Sequence, residues 1–302
     1  MKRRLIKQGA EALTLTLPKE WTKLYHLKSG DEVDVNPEGA MLIIHAQPSA
    51  HKQKTKVHLS EENRNHHRLL LAQAYRSGFE EIEIRYDQDS QLPHIYVLVE
   101  ELLGMEITVQ KEELLLLQSV AVPDYRQYDT LFRRIFHIID TGFSYLLADA
   151  QSGELDSTKM EVLQKNLLRN SNFCTRVLYN YPFENKNKVF AEQVMLKIAD
   201  YVMSELRQIY SLLPKKISPK SMNYLSDSKV FFSLITDAIF KEDEQLLNQV
   251  LIQKHAFLER KNKTILEVNK QEYLLVQEIG ILLRLLTLFA GPITSSSLKR
   301  EK

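Results

Sequence analysis

The sequence predicts an α+β multidomain protein: a small β module, then a small mixed α/β segment, then a large all-helical domain. Three observations carry that expectation. Apolar and polar residues alternate with period two in the first 48 residues, the periods mix between 49 and 122, and from Pro123 to Ile293 only long stretches with helical period occur. At 302 residues, with 44% hydrophobic and 26% charged residues, the chain can build more than one core and is too apolar for general disorder.

The first segment, 1–48, places Leu13, Leu15 and Leu17 on one face of a strand and Thr14 and Thr16 on the other. Pro18 then opens a short helix, where a missing N–H does no harm, and Trp21, Leu24 and Leu27 supply its apolar stripe. After Ser29-Gly30-Asp31, strands at Glu32–Val35 and Met41–His45 flank a turn at Asn36-Pro37-Glu38-Gly39. A four-stranded unit this small, without disulfide or metal, buries too little apolar surface alone, so it is expected to share its core in a homodimer.

The second segment, 49–122, starts in a polar stretch and continues with a strand at Thr55–Leu59. A helix follows, capped by Ser60 with Glu61 and Glu62 in its first turn and stopping before Gly78. Ile82, Ile84 and Tyr86 alternate as a strand, Pro93–Leu103 is helical up to Gly104, and Met105–Val109 and Leu114–Leu117 complete a small α/β layer. The third segment, 123–293, holds six helical stretches at 123–150, 156–181, 186–213, 219–241, 243–265 and 268–290, most economically two three-helix bundles in tandem. Gly291-Pro292 ends it, and 294–302 is a polar tail. Tyr128, Phe132, Phe136, Phe143 and Tyr145 recur near helical spacing and are expected in the core.

The first 28 residues carry seven basic residues against two acids, a local charge of +5 in a chain whose net charge is +1. Phosphate neutralisation needs such a concentration of cations, so Arg3, Arg4 and Lys7 on the first strand and Lys19 and Lys23, one turn apart on the short helix, are the candidate contacts to double-stranded DNA. The same charges also fit an ordinary solvated face. Doubling the set in a dimer would suit a pseudo-palindromic site. Cys174 is the only cysteine, which excludes an intramolecular disulfide or a cysteine-based zinc site and fits a reducing, cytoplasmic setting. The apolar stretch Tyr273–Ile293 contains Gln277, Glu278 and Arg284, and charges at the centre of a membrane span cost about 2.5–3.5 kcal/mol each, so a buried helix without membrane insertion is expected. No phosphate loop, nucleophile elbow or HExxH motif occurs, and adjacent His66 and His67, read as two partly exposed histidines, point too far apart to grip one ion. A non-enzymatic protein without cofactor is expected.

The run Gly9, Leu13-Thr14-Leu15-Thr16-Leu17-Pro18-Lys19-Glu20-Trp21, then Leu27-Lys28-Ser29-Gly30-Asp31-Glu32-Val33-Asp34-Val35, resembles the AbrB/MazE/SpoVT family. That resemblance implies a DNA-binding barrel of hairpins swapped between two chains. The helical segment, through Asn172-Phe173-Cys174-Thr175-Arg176-Val177-Leu178 and Lys197-Ile198-Ala199-Asp200-Tyr201, resembles the archaeal branch of the PhoU family, in which an AbrB-like module precedes the helices. It implies transcriptional regulation of phosphate uptake or a related transport or signalling response, with a protein partner for the helical domain. The alternative is an interaction protein whose β module only dimerises and whose bundle binds a transporter or signalling partner. PhoU-like proteins carry Glu-x-x-x-Asp metal motifs on paired helices, and this chain departs from them: Asn166 and Asn170 stand on one helix, Leu196 and Asp200 on the other. No metal is therefore expected at these degenerate positions, because amides are poorer ligands than carboxylates.

Overall fold

A computed structural model describes residues 3–9, 12–38, 41–46, 53–120, 125–180, 183, 185–241, 243, 245–253, 256–257, 268, 270 and 272–297. It is an α+β protein with a small N-terminal β region and a helical C-terminal part. The chain divides into two compact units, Met1–Gln53 and Lys54–Lys302. The boundary expected after residue 48 lies outside the described residues.

In the first unit β1 (Ile6–Gln8) pairs antiparallel with β2 (Ala12–Thr14), Lys7 opposite Leu13. Gly9 turns the hairpin at φ +77°, a backbone state that glycine adopts without Cβ strain. Pro18 precedes α1 (Lys19–Leu24) in an extended conformation, as its fixed φ favours. A second hairpin pairs β3 (Val33–Glu38) with β4 (Met41–Ala46). Two expectations are corrected. The second strand stops at Thr14, leaving Leu15 and Leu17 outside the pairing. Asn36-Pro37-Glu38 is strand rather than turn, with Pro37 opposite Leu42: a two-stranded sheet has only edges, where a missing donor is tolerated.

The second unit begins with a four-stranded sheet of order β5-β6-β8-β7. Here β5 (Lys54–Leu59) runs parallel to β6 (Glu81–Tyr86), while β8 (Leu114–Ser119) lies antiparallel to both β6 and β7 (Met105–Lys111). Parallel pairing requires a crossover, supplied by α2 (His67–Arg76), and α3 (Leu92–Val99) follows β6. One sheet face buries Leu59, Ile82, Ile84, Tyr86, Leu115 and Leu117 with Tyr75 and Ile95 of the helices. The other carries the ion pairs Lys54–Glu81 at 2.8 Å and Lys56–Glu83 at 3.1 Å. This alternation is the period-two pattern made visible.

The helix expected to start at Ser60 starts later. Residues Glu61–His66 form a 3-10 turn and the α-helix begins at His67, with no side-chain cap. The turn is tethered from outside, since Asp87 Oδ2 accepts the Glu61 amide at 2.9 Å and buried Gln91 donates to the Leu59 carbonyl at 2.6 Å. His67, expected to be partly exposed, is fully buried, its Nε2 2.8 Å from the Ser60 carbonyl oxygen. His66 is exposed as expected.

The remaining helices are α4 (Tyr128–Ser152), α5 (Ser157–Asn180), α6 (Lys186–Ser211), α7 (Pro219–Lys241), α8 (245–253), α9 (Tyr273–Thr287) and α10 (Ala290–Ser297). Asn185 caps α6 by accepting the amides of Asn187 and Lys188, and Gly153 at φ +77° closes α4. Their apolar faces form one continuous core in which Phe136, Phe143, Phe232 and Phe289 meet, each stabilising the fold by about 2–3 kcal/mol on burial. Tyr145, expected in this core, is instead exposed, with the Lys159 ammonium over its ring. Of the helix expected at 243–265, only part lies within the described residues.

The last expected helix, 268–290, begins at Tyr273 and breaks at Leu288–Phe289, where bonds to Leu285 and Leu286 tighten the turn. Pro292 has no N–H to continue a ladder, yet it fits the first turn of a new helix, so Gly291-Pro292 lies inside α10 rather than ending the domain. Tyr273–Ser296 is long and apolar enough by length and composition to cross a membrane, and 56% of its most apolar window is buried inside this unit.

Candidate functional site

The N-terminal cations lie on both elements of the first hairpin and helix. Arg3 and Arg4 precede β1, Lys7 sits at its centre, and Lys19 and Lys23 lie one turn apart on α1. All five are exposed, and none forms an ion pair with a described residue. Around them, Leu5, Ile6, Leu13, Leu15, Leu24, Tyr25, Val35 and Leu42 are between 41 and 69% exposed, and no described side chain of the unit is buried. A single copy of this unit therefore has apolar side chains without a core to hold them.

In the helical part, the degenerate motif positions come from α5 and α6. Asn166 is half-buried, Asn170 and Leu196 are buried, and Asp200 Oδ1 is sequestered without a hydrogen-bond partner. Burial pushes the Asp200 carboxyl above its usual range, against the pull of Ser171, Arg76 and Lys197. Asn170 Nδ2 is likewise buried without a partner among the described residues, while the Ser171 hydroxyl faces the Asp200 carboxyl. Among the described residues no group of three His, Cys, Asp or Glu side chains could hold a metal ion.

Sequence reasoning missed the polar ladder that joins the sheet layer to the bundle. Lys165, Asn172, Arg176 and Asn180 share one face of α5, at intervals of seven, four and four residues. Lys165 pairs with Glu100. Asn172 donates to the Glu101 carbonyl at 3.1 Å and accepts Arg76 Nε at 2.9 Å. The buried Arg176 guanidinium lies 4.7 Å from the centre of the Tyr75 ring and donates to three carbonyls: Tyr75, Phe79 at 3.1 Å and Gly78 at 3.1 Å. The Gly78 and Phe79 carbonyls lie just past the C-terminal end of α2, where a cation is favoured by the helix dipole, and the Tyr75 carbonyl also accepts the Gly78 amide at 3.0 Å. Asn180 donates to the Arg76 carbonyl at 3.0 Å, and a Cβ on Gly78 would stand 2.2 Å from Asn180 Oδ1. The residues that carried the PhoU resemblance thus include the two central members of this ladder.

No family model, curated protein or solved structure matches this chain. The site must then be argued from its own chemistry.

Two other buried acids have structural partners. Glu272 accepts the Ser218 amide at 2.9 Å and the Ser218 and Ser221 hydroxyls, neutralising the start of α7. Asp149 accepts Tyr210 Oη and Lys159 Nζ. Glu205 on α6 is different: burial and the adjacent Glu278 of α9 push its carboxyl up to about 8. Leu274 and Ile281 on α9, and Leu288 just past its end, are exposed at intervals of seven residues.

Proposed function

We propose that the protein is a homodimeric, DNA-binding transcriptional regulator whose helical domain senses a signal. The observation that carries this reading is the first unit's combination of exposed apolar side chains and unpaired cations. Two copies interlacing their hairpins into one AbrB-like barrel would bury Leu13, Leu15, Val35 and Leu42 together, as sheets with one apolar face require. The same pairing doubles Arg3, Arg4, Lys7, Lys19 and Lys23 on a two-fold surface suited to duplex DNA.

The PhoU-like layout of the helices extends the reading to phosphate uptake or a related transport or signalling response, by analogy of fold. In this reading the protein acts in the cytoplasm, without catalysis and without a metal at Asn166, Asn170, Leu196 and Asp200. A partner-binding role for the bundle, with the β module serving only to dimerise, is favoured by one feature: the exposed heptad-spaced stripe Leu274, Ile281 and Leu288, the form of a helix-docking seam.

Salt-dependent DNA binding separates the two. In the full-length protein, Arg3→Ala with Arg4→Ala should lower the dependence of log K on log salt by about one per lost phosphate contact in each chain. An unchanged slope, or no duplex binding by the unaltered protein at moderate salt, overturns the regulator and leaves the partner-binding role.

A further inference from the structure

At one end of the bundle, the first turns of α4 and α6 and the last turns of α7 and α10 enclose an open cavity of about 70 Å³. Phe132, Met195, Ile239 and Phe240 supply the apolar part of its lining. Its charges fall into two sets. Glu192 is buried and already engaged, accepting Tyr128 Oη at 2.7 Å with Lys188 at 3.8 Å. Asp129 and Arg133, one turn apart on α4, are exposed to the cavity and form no ion pair with a described residue. The Arg133 guanidinium is stacked 4.4 Å above the Phe240 ring, which fixes its plane and leaves its N–H groups to take an acceptor.

The geometry points to a binding site for a free aliphatic α-amino acid, with its carboxylate on Arg133, its ammonium on Asp129 and its side chain against Phe132, Met195 and Phe240. Among the described residues, with Lys188 and Glu192 offsetting each other, the open pair is one cation and one anion, which a net-neutral zwitterion satisfies at both ends. A phosphate dianion would meet two carboxylates, and an amine without a carboxylate would leave Arg133 unused. This site goes beyond the regulator reading and does not rest on it, since binding is measured without DNA.

The test is isothermal titration of the full-length protein with L-leucine and L-valine. Isocaproate, isoamylamine and inorganic phosphate serve as separate probes. Leucine or valine should bind, and Arg133→Gln and Asp129→Asn should each weaken binding at least about tenfold, a loss of about 1.4 kcal/mol. Isocaproate and isoamylamine should bind at least about tenfold more weakly than leucine. Both altered side chains are exposed, so thermal melts of the variants should match the unaltered protein and show that the fold is intact. The proposal is overturned if leucine and valine give no heat up to about 10 mM. It is also overturned if isocaproate or phosphate binds as tightly as leucine, or if both variants retain full affinity.

Discussion

Replacing Arg176 by Met tests whether the polar ladder on α5 is what seats the sheet layer on the helical core. Met keeps most of the side-chain volume and removes every donor. The carbonyls of Gly78 and Phe79 then lose their Arg176 partner at a site that Arg176 itself shields, while that of Tyr75 keeps the Gly78 amide, and each buried, unsatisfied acceptor costs about 1–3 kcal/mol. Partial hydration of the exposed side of the turn lowers the sum, so the expected loss is about 3–5 kcal/mol out of a typical 5–15. At about 3 °C per kcal/mol for a unit of this size, the melting temperature should fall by about 10 °C. Urea unfolding followed by far-ultraviolet ellipticity measures the loss, and amide exchange at residues 75–79 locates it. Arg176→Lys should recover only part of the stability, because one ammonium cannot reach three carbonyls in the plane of a guanidinium. A loss below about 1 kcal/mol for Met, or full recovery with Lys, would refute the claim that these bonds hold the layer in place.

Two further outcomes follow from the acids. Glu205 has its folded pKa raised to about 8, above the ordinary carboxylate value, so the folded state binds the extra proton and stability falls as pH rises from about 4.5 through 8. Glu205→Gln should therefore be the more stable form above pH 8, by about 1–2 kcal/mol once solvent screening of this half-buried group is allowed for, and the two proteins should converge near pH 4.5; equal urea midpoints at pH 9 would count against the carboxylate pair. Glu272→Ala removes the acceptor for the Ser218 amide and two hydroxyls at the head of α7, and should cost about 1–3 kcal/mol in the same urea assay, whereas Glu272→Gln, which keeps one acceptor oxygen, should cost less.

Much of the fold was legible because its elements bury one face. Ile82, Ile84 and Tyr86 alternate with Glu81, Glu83 and Arg85 because the first three face the helices and the others face away, and α4 to α7 show their 3.6-residue period for the corresponding reason. The departures come where a local signal competes with a distant contact. Ser60 has the composition of a cap, but Asp87 and Gln91, nearly thirty residues on, hold the following turn in a tighter form. Pro37 has the composition of a turn, and only the absence of a third strand among the described residues beside β3 makes it acceptable within a strand. Pro292 carries two meanings in a helical segment, stop or start, and the choice depends on Phe289 being drawn fully into the core just before it.

The site was legible unevenly, for a reason visible in α5. The N-terminal cations could be found because charge density is a property of composition. Asn172 and Arg176 could not, because a polar residue in a helix has the same local signature whether it faces water, a metal or another backbone. What distinguishes them is the partner: the end of α2, about one hundred residues earlier in the chain, presents carbonyls that α2 cannot satisfy itself. Once those acceptors are counted, an arginine at the point of contact is the economical solution, since its planar fork reaches several carbonyls at once and lies over the Tyr75 ring. Asp200 shows the converse. It stands at the position expected of a metal motif, yet Leu196 precedes it by one turn on the same helix, and its carboxyl is driven toward the neutral form by burial. On this helix pair the polar residues with assigned partners, Asn172 and Arg176, hold the sheet layer through the Glu101, Gly78 and Phe79 carbonyls.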